Sequence, residues 1–173
     1  DNTWWGISYS LPEINKSERY KIKRKLSLYR FALLHPGFWI WPINTKEKIE
    51  QHLKDIFDHK NCKVLTFSFY SKDELRKIPD LWKINNINLE FKESLEYIKE
   101  YREKHNLSDP KDALKAKMIV GNKIVKQLFK DPLLPDEFLP KDWSGNDLRK
   151  AFFEWDKLTT EKSKPYWEKI FKY

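Results

Sequence analysis

The sequence predicts an α+β protein. A ferredoxin-like βαββαβ domain over residues 1–77 is followed by a connector over 78–88 and a mostly α-helical domain over 89–173. Three observations predict it. Short segments of apolar and aromatic residues with strand character recur in the first seventy or so residues. Two helical periodicities separate them, giving the order β-α-β-β-α-β of the split βαβ motif. Beyond the connector the signal turns helical.

Thr3 to Leu11 alternates: Trp5, Ile7, Tyr9 and Leu11 point one way, and Trp4, Gly6, Ser8 and Ser10 the other. This is a strand, stopped by Pro12. Ile22, Leu26 and Tyr29 then share one face of a helix. Phe31–Leu34 and Phe38–Trp41 are two strands joined by the turn His35-Pro36-Gly37, and Pro42 closes the second. Asn44 and Glu47 have capping-box spacing at the start of a helix whose apolar face is Ile49, Leu53, Ile56 and Phe57. Asn61 breaks it, and Lys63–Tyr70 alternates again as the last strand. Two helices cover one face of such a sheet. The other face needs a cover from a dimer partner or from the second half of the chain.

Ser71–Asn88 is polar and carries Pro79, so it reads as a connector, with Leu81 and Trp82 docking on a neighbouring surface. Phe91, Leu95 and Ile98 mark a helix face. Asp109, Pro110 and Asp112 begin another helix, with Pro at its first position and acids suited to its dipole. Its apolar stripe reads as Leu114, Met118, Gly121, Val125, Leu128 and Phe129, with Gly121 allowing close helix packing. Asp131-Pro132 ends it. Leu133–Trp143 is extended and punctuated by proline. Ser144 caps a helix bearing Leu148, Phe152 and Trp155, and a short closing helix starts near Pro165.

Composition narrows the function. The 173 residues carry 34 basic and 26 acidic side chains, net +8. The excess is uneven: residues 1–77 hold 15 basic and 9 acidic side chains, whereas 78–173 hold 19 and 17. Lys16–Arg30 alone has seven basic residues and one acid, Glu18. Lys21, Arg24 and Lys25 on this stripe are the candidate nucleic-acid contacts, because counterion release drives such binding. A solvated helix face is the plainer reading of the same stripe. No apolar run approaches the roughly 18 residues that span a bilayer, and no signal peptide precedes the first strand. A cytoplasmic protein without a membrane partner is expected.

Catalytic chemistry finds little support. Cys62 is the single cysteine, so no internal disulfide forms, and no Cys/His spacing resembles a zinc site. His35 falls in a turn, His52 and His59 on the charged side of a helix, and His105 near a helix end, none beside a nucleophile motif. Four glycines leave little means of building a phosphate cradle from backbone. No enzyme, cofactor, metal or catalytic residue is expected. The tryptophans remain. Trp39 and Trp41 share a strand face, for packing or for stacking on bases. Trp82, Trp143 and Trp155 lie in or beside the connector and the proline-rich segment, as core packing or as pocket walls.

These segments carry a resemblance. Trp4-Trp5-Gly6-Ile7-Ser8-Tyr9-Ser10-Leu11-Pro12, the basic helix, His35-Pro36-Gly37-Phe38-Trp39 and Lys63–Phe69 resemble the Cas2-like central domain of the PaaX family of bacterial transcriptional regulators. Leu81-Trp82-Lys83-Ile84, Asp131-Pro132-Leu133-Leu134-Pro135, Leu139-Pro140 and Asp142-Trp143-Ser144-Gly145 resemble the family's C-terminal domain. Lys83 follows Trp82 where the family often has Asp. Asn122-Lys123-Ile124-Val125 stands where it commonly shows a His-acid-aromatic-Arg stretch.

The resemblance implies a transcriptional repressor whose N-terminal winged helix-turn-helix reads the operator. The chain opens with Asp1 rather than Met, and it reads as the dimerisation and effector-sensing portion without that domain. The implied partners are a second copy, DNA through the absent domain, and an aryl-CoA or related thioester effector, with Trp82 and Trp143 as effector-binding candidates. The alternative is a non-catalytic Cas2-like nucleic-acid-binding module. Cas2 nucleases present an acid at the end of the first strand; here that segment is Tyr9-Ser10-Leu11-Pro12, and metal-dependent cleavage is not expected.

Overall fold

The computed structural model describes residues 3–10, 16–42 and 46–170. The chain divides into two compact units, one of residues 1–84 with 132–139, the other of 85–131 with 140–173. In the first, strand β1 (Trp4–Tyr9), helix α1 (Lys16–Leu28), strands β2 (Ala32–His35) and β3 (Phe38–Pro42), helix α2 (Lys46–Phe57), strand β4 (Cys62–Phe67) and helix α3 (Lys72–Leu81) follow one another. The second holds α4 (Ile84–Lys104, its first residue counted with the other unit), α5 (Pro110–Leu128) and α6 (Gly145–Ile170).

The four strands form one sheet in the order β2-β3-β1-β4, with every neighbouring pair antiparallel. β1 and β3 register Trp5 against Trp41 and Ile7 against Trp39. That puts the four side chains on one face, because side chains alternate along a strand. There they pack with Ile22 and Leu26 of α1 and with Leu53 and Ile56 of α2. Alternation sends Trp4, Ala32 and Ile40 to the opposite face. It is covered within the same unit by Leu75, Ile78 and Leu81 of α3, by Trp82 and by Phe138. Trp4 meets Phe138 and Phe69 edge to face, with ring centroids 5.3 and 5.7 Å away.

An ion pair and a hydrogen bond fasten α1 to the α2 end of the unit. Lys25 bonds to Asp55, and His59 Nε2 lies 2.7 Å from Glu18. The backbone N–H of Asn61 donates to His59 Nδ1, so the ring's proton sits on Nε2 and is donated to Glu18. His59 is thus half-buried just past the end of α2, not on a helix face.

The stretch expected as a polar connector is helical. Ser71 caps α3 by accepting from Asp73 N–H, and Pro79 falls close enough to its end to be tolerated. Lys83 follows at φ 54°, a left-handed geometry that ends the helix. The proline-rich segment returns at 132–139 to the first unit, where a single 3-10 turn, Asp136–Phe138, sets Phe138 against Trp4.

In the second unit Asp109 caps α5 as its sequence predicts, accepting from Lys111 and Asp112 N–H. The buried face of α5 differs from the expected stripe. It is Ala113, Ala116, Val120 and Ile124, while Met118, Val125 and Phe129 are exposed. Alanines let α5 lie close to α6, and that close approach outweighs the larger apolar residues on the far side. Gly121 has open space where a Cβ would sit, so it marks no close packing. α6 runs unbroken through Pro165. Below it Thr159 and Ser163 are buried and bond back to carbonyls one turn earlier, a geometry that bends a helix without ending it. The capping box at Asn44 and Glu47, Leu11-Pro12 and Glu13 lie outside the described residues, as do the side chains of Ile49 and His52.

Candidate functional site

The basic stripe separates into three parts on α1. Lys21 and Arg24 are exposed and have no ion-pair partner among the described residues. Lys25 is engaged with Asp55, and its ammonium holds the Asp55 carboxyl below the ordinary carboxylate range. Arg19 and Lys23, four residues apart, face the other way. They border a cleft of about 470 Å³ whose remaining walls are Tyr9 and Ser10, Leu33, the Pro36-Gly37 turn, and Trp39. The three sequence candidates therefore do not form one uniform phosphate-binding row, and sequence reading missed the cleft. The signal for it was present in the i, i+4 spacing of Arg19 and Lys23.

Trp82 and Trp143 belong to different units. Trp82 is half-buried against Trp4, and its indole N–H donates to the Arg30 carbonyl at 2.7 Å. Trp143 packs on Phe91 with centroids 5.2 Å apart. A Cβ on Gly145 would lie 2.8 Å from Trp143 Cε2, so only glycine fits beside that ring. Both indoles have defined packing partners inside their own units.

The signature segment is a structural knot. Buried Asn88 accepts from Ser144 N–H at 2.8 Å and donates to the Asp142 carbonyl at 3.3 Å. Ser144 C=O then accepts from Leu148 N–H to start α6. Asp131 is almost wholly buried and bonds Arg149 of α6. The spacing of Asp131, Asp142, Ser144 and Gly145 thus meets a folding requirement.

Other chemistry is sparse. No group of three or more His, Cys, Asp or Glu among the described residues could hold a metal ion. His105 stacks on Tyr101 at 3.9 Å. Cys62 is buried, and burial, with Glu18 nearby, pushes its thiol pKa up. Such a thiol is a poor nucleophile. The indole N–H groups of Trp5, Trp39, Trp41 and Trp155 are buried without a hydrogen-bond partner among the described residues. No described helix is long and apolar enough to cross a membrane.

An α+β unit with a two-sided aromatic sheet, and a helical unit built on a Trp-Ser-Gly knot, define a two-domain protein whose surface features are a basic helix and a cleft. Residues 1–78 match the PaaX protein central Cas2-like domain, and residues 80–169 match the PaaX-like protein C-terminal domain. The chain belongs to the PaaX family. Among solved structures it is similar in fold to the uncharacterized protein Rv0674 from Mycobacterium tuberculosis. The TM-score is 0.74 at 19% identity, over 95% of this chain and 63% of that one. No curated protein matches the sequence.

Proposed function

We propose that this chain is the dimerising, effector-sensing portion of a PaaX-like DNA-binding transcriptional repressor. The observation that carries the reading is the succession of the two family domains, in order, across nearly the whole chain. On this reading the first unit is a ferredoxin-like, Cas2-like domain, and the strand order β2-β3-β1-β4 supports that topology. The repressor is cytoplasmic and catalyses nothing. A ligand, with an aryl-CoA thioester as the family-based candidate, binds and shifts the dimer toward a geometry that cannot hold both operator half-sites. The exposed face of α5 with Met118, Val125 and Phe129 supports self-association. Sedimentation velocity tests the dimer: a concentration-dependent doubling of mass is expected, and a monomer at high concentration contradicts it. Adding an aryl-CoA thioester to the full-length protein on promoter DNA tests the effector: release is expected, and unchanged binding contradicts it.

A second reading, a non-catalytic Cas2-like nucleic-acid-binding module, is favoured by one observation: Lys21 and Arg24 are exposed and have no ion-pair partner among the described residues. It predicts affinity that falls with salt by about 0.9 log units per phosphate contact per decade. Unchanged affinity in Lys21→Ala/Arg24→Ala excludes it.

A further inference from the structure

We propose that the cleft bordered by Arg19, Lys23 and Trp39 binds a small molecule that carries phosphate on a flat apolar body. The inference deepens the effector-sensing reading and rests on it only for the consequence of binding. The cleft lies where the end of β1, the β2–β3 turn and α1 meet. Its volume, about 470 Å³, falls in the range of small-molecule sites.

The charge arrangement is specific. Arg19 and Lys23 are one helical turn apart, and like charges at this spacing repel. Among the described residues neither has an ion-pair or hydrogen-bond partner, and none of those that line the cleft is acidic. Elsewhere on the same helix Lys25 and Glu18 are both paired. Two adjacent cations on one wall, without an acidic partner among the described residues, match a ligand with at least two negative charges. Arg supplies a planar fork for phosphate oxygens and Lys a point charge.

The remaining walls fit the rest of such a ligand. Tyr9 and Ser10 line the cleft at the end of β1. Tyr9 N–H donates to the Gly37 carbonyl at 2.9 Å, which fixes the turn against β1. Gly37 has φ 79°, and a Cβ there would stand 2.9 Å from the Tyr9 carbonyl, so the turn closes without a side chain. Leu33 and Pro36, both exposed, give apolar surface for a flat group. Trp39 is 4% exposed, and its indole N–H has no hydrogen-bond partner among the described residues. A concave site of this kind suits a discrete metabolite. A nucleic-acid backbone would track the convex side of α1, where Lys21 and Arg24 project roughly opposite by helical period.

Calorimetric titration of the whole chain at physiological salt tests the site, with ADP, pyrophosphate, adenosine and a single-stranded oligonucleotide as probes. ADP is expected to saturate at one per chain, pyrophosphate to bind more weakly, and adenosine not to bind. Arg19→Gln and Lys23→Gln should each weaken ADP about tenfold or more, since each removes a charge-assisted contact. Lys21→Gln/Arg24→Gln should leave ADP binding within about twofold, with all variants checked for native circular dichroism. Failure of both ADP and pyrophosphate to bind overturns the proposal. So does ADP binding insensitive to both Gln variants, or an oligonucleotide that binds more tightly than ADP through Arg19 and Lys23. Because binding is read without DNA, loss of the site leaves the repressor reading standing. Conversely, ADP bound at the cleft with no effect on promoter binding by the full-length protein counts against the sensing role and not against the site.

Discussion

Asn88 accepts a hydrogen bond from the backbone N–H of Ser144 at 2.8 Å, across 56 residues of sequence. The same side chain donates to Asp142. It thus fastens α4 to the turn that launches α6. Asn88→Ala leaves a buried N–H without its acceptor, and the expected loss is about 1–3 kcal/mol. Asn88→Asp keeps the acceptor and loses the donor, so it should cost less. Urea unfolding of both variants checks the order; equal stability of Asn88→Ala and wild type contradicts the knot.

Gly145→Ala places a methyl group into the Trp143 ring. The ring is held by Phe91, so it cannot move freely. A destabilisation of about 1–3 kcal/mol is expected, as for overpacked cores. Trp143→Phe/Gly145→Ala should recover part of it, because the smaller ring leaves room for the methyl. Thermal melts of the single and double variants read the coupling, and strict additivity would exclude the contact.

Cys62 should be slow toward thiol reagents at neutral pH. Its thiol pKa is raised by burial first and by Glu18 second, so the reactive thiolate is scarce. Denaturant should speed the reaction with Ellman's reagent by orders of magnitude. Native reactivity equal to that of the unfolded chain contradicts the buried placement.

The Lys25–Asp55 pair gives a pH prediction. The side-chain hydrogen bond from Lys25 is the main cause of the depressed Asp55 pKa. A carboxyl depressed in the folded state stabilises at pH above its unfolded value, about 3.9, and this contribution is lost as pH falls through the folded value. Both side chains are considerably exposed, so the contribution stays within about 1 kcal/mol. In Lys25→Met the Asp55 carboxyl should titrate near the ordinary value by carbon-13 NMR. An unchanged midpoint would show that the pair does not form.

The first unit was legible because its period-two segments are short and rich in aromatic residues, and the same-face placement of Trp39 and Trp41 followed from alternation. What covers the second sheet face was not legible, because α3 hides in a polar stretch whose apolar residues Leu75, Ile78 and Leu81 are few. The face of α5 was misread because large exposed residues outshine the buried alanines that permit close packing. Pro165 suggested a helix break, yet α6 runs through it from Gly145 to Ile170. The cleft depends on three separated segments meeting, which no local pattern reveals, although Arg19 and Lys23 carried half of its signal. Trp82 and Trp143 stood out as family residues, and their packing partners became visible only in three dimensions.

On the proposed function, this chain senses and dimerises while another part of the repressor reads DNA. Nuclease footprinting on the gene's own promoter region, with the full reading frame and with residues 1–173 side by side, tests it most directly. A discrete protected site is expected for the full-length protein and none for residues 1–173. Protection of the same site by residues 1–173 at equal affinity would contradict it.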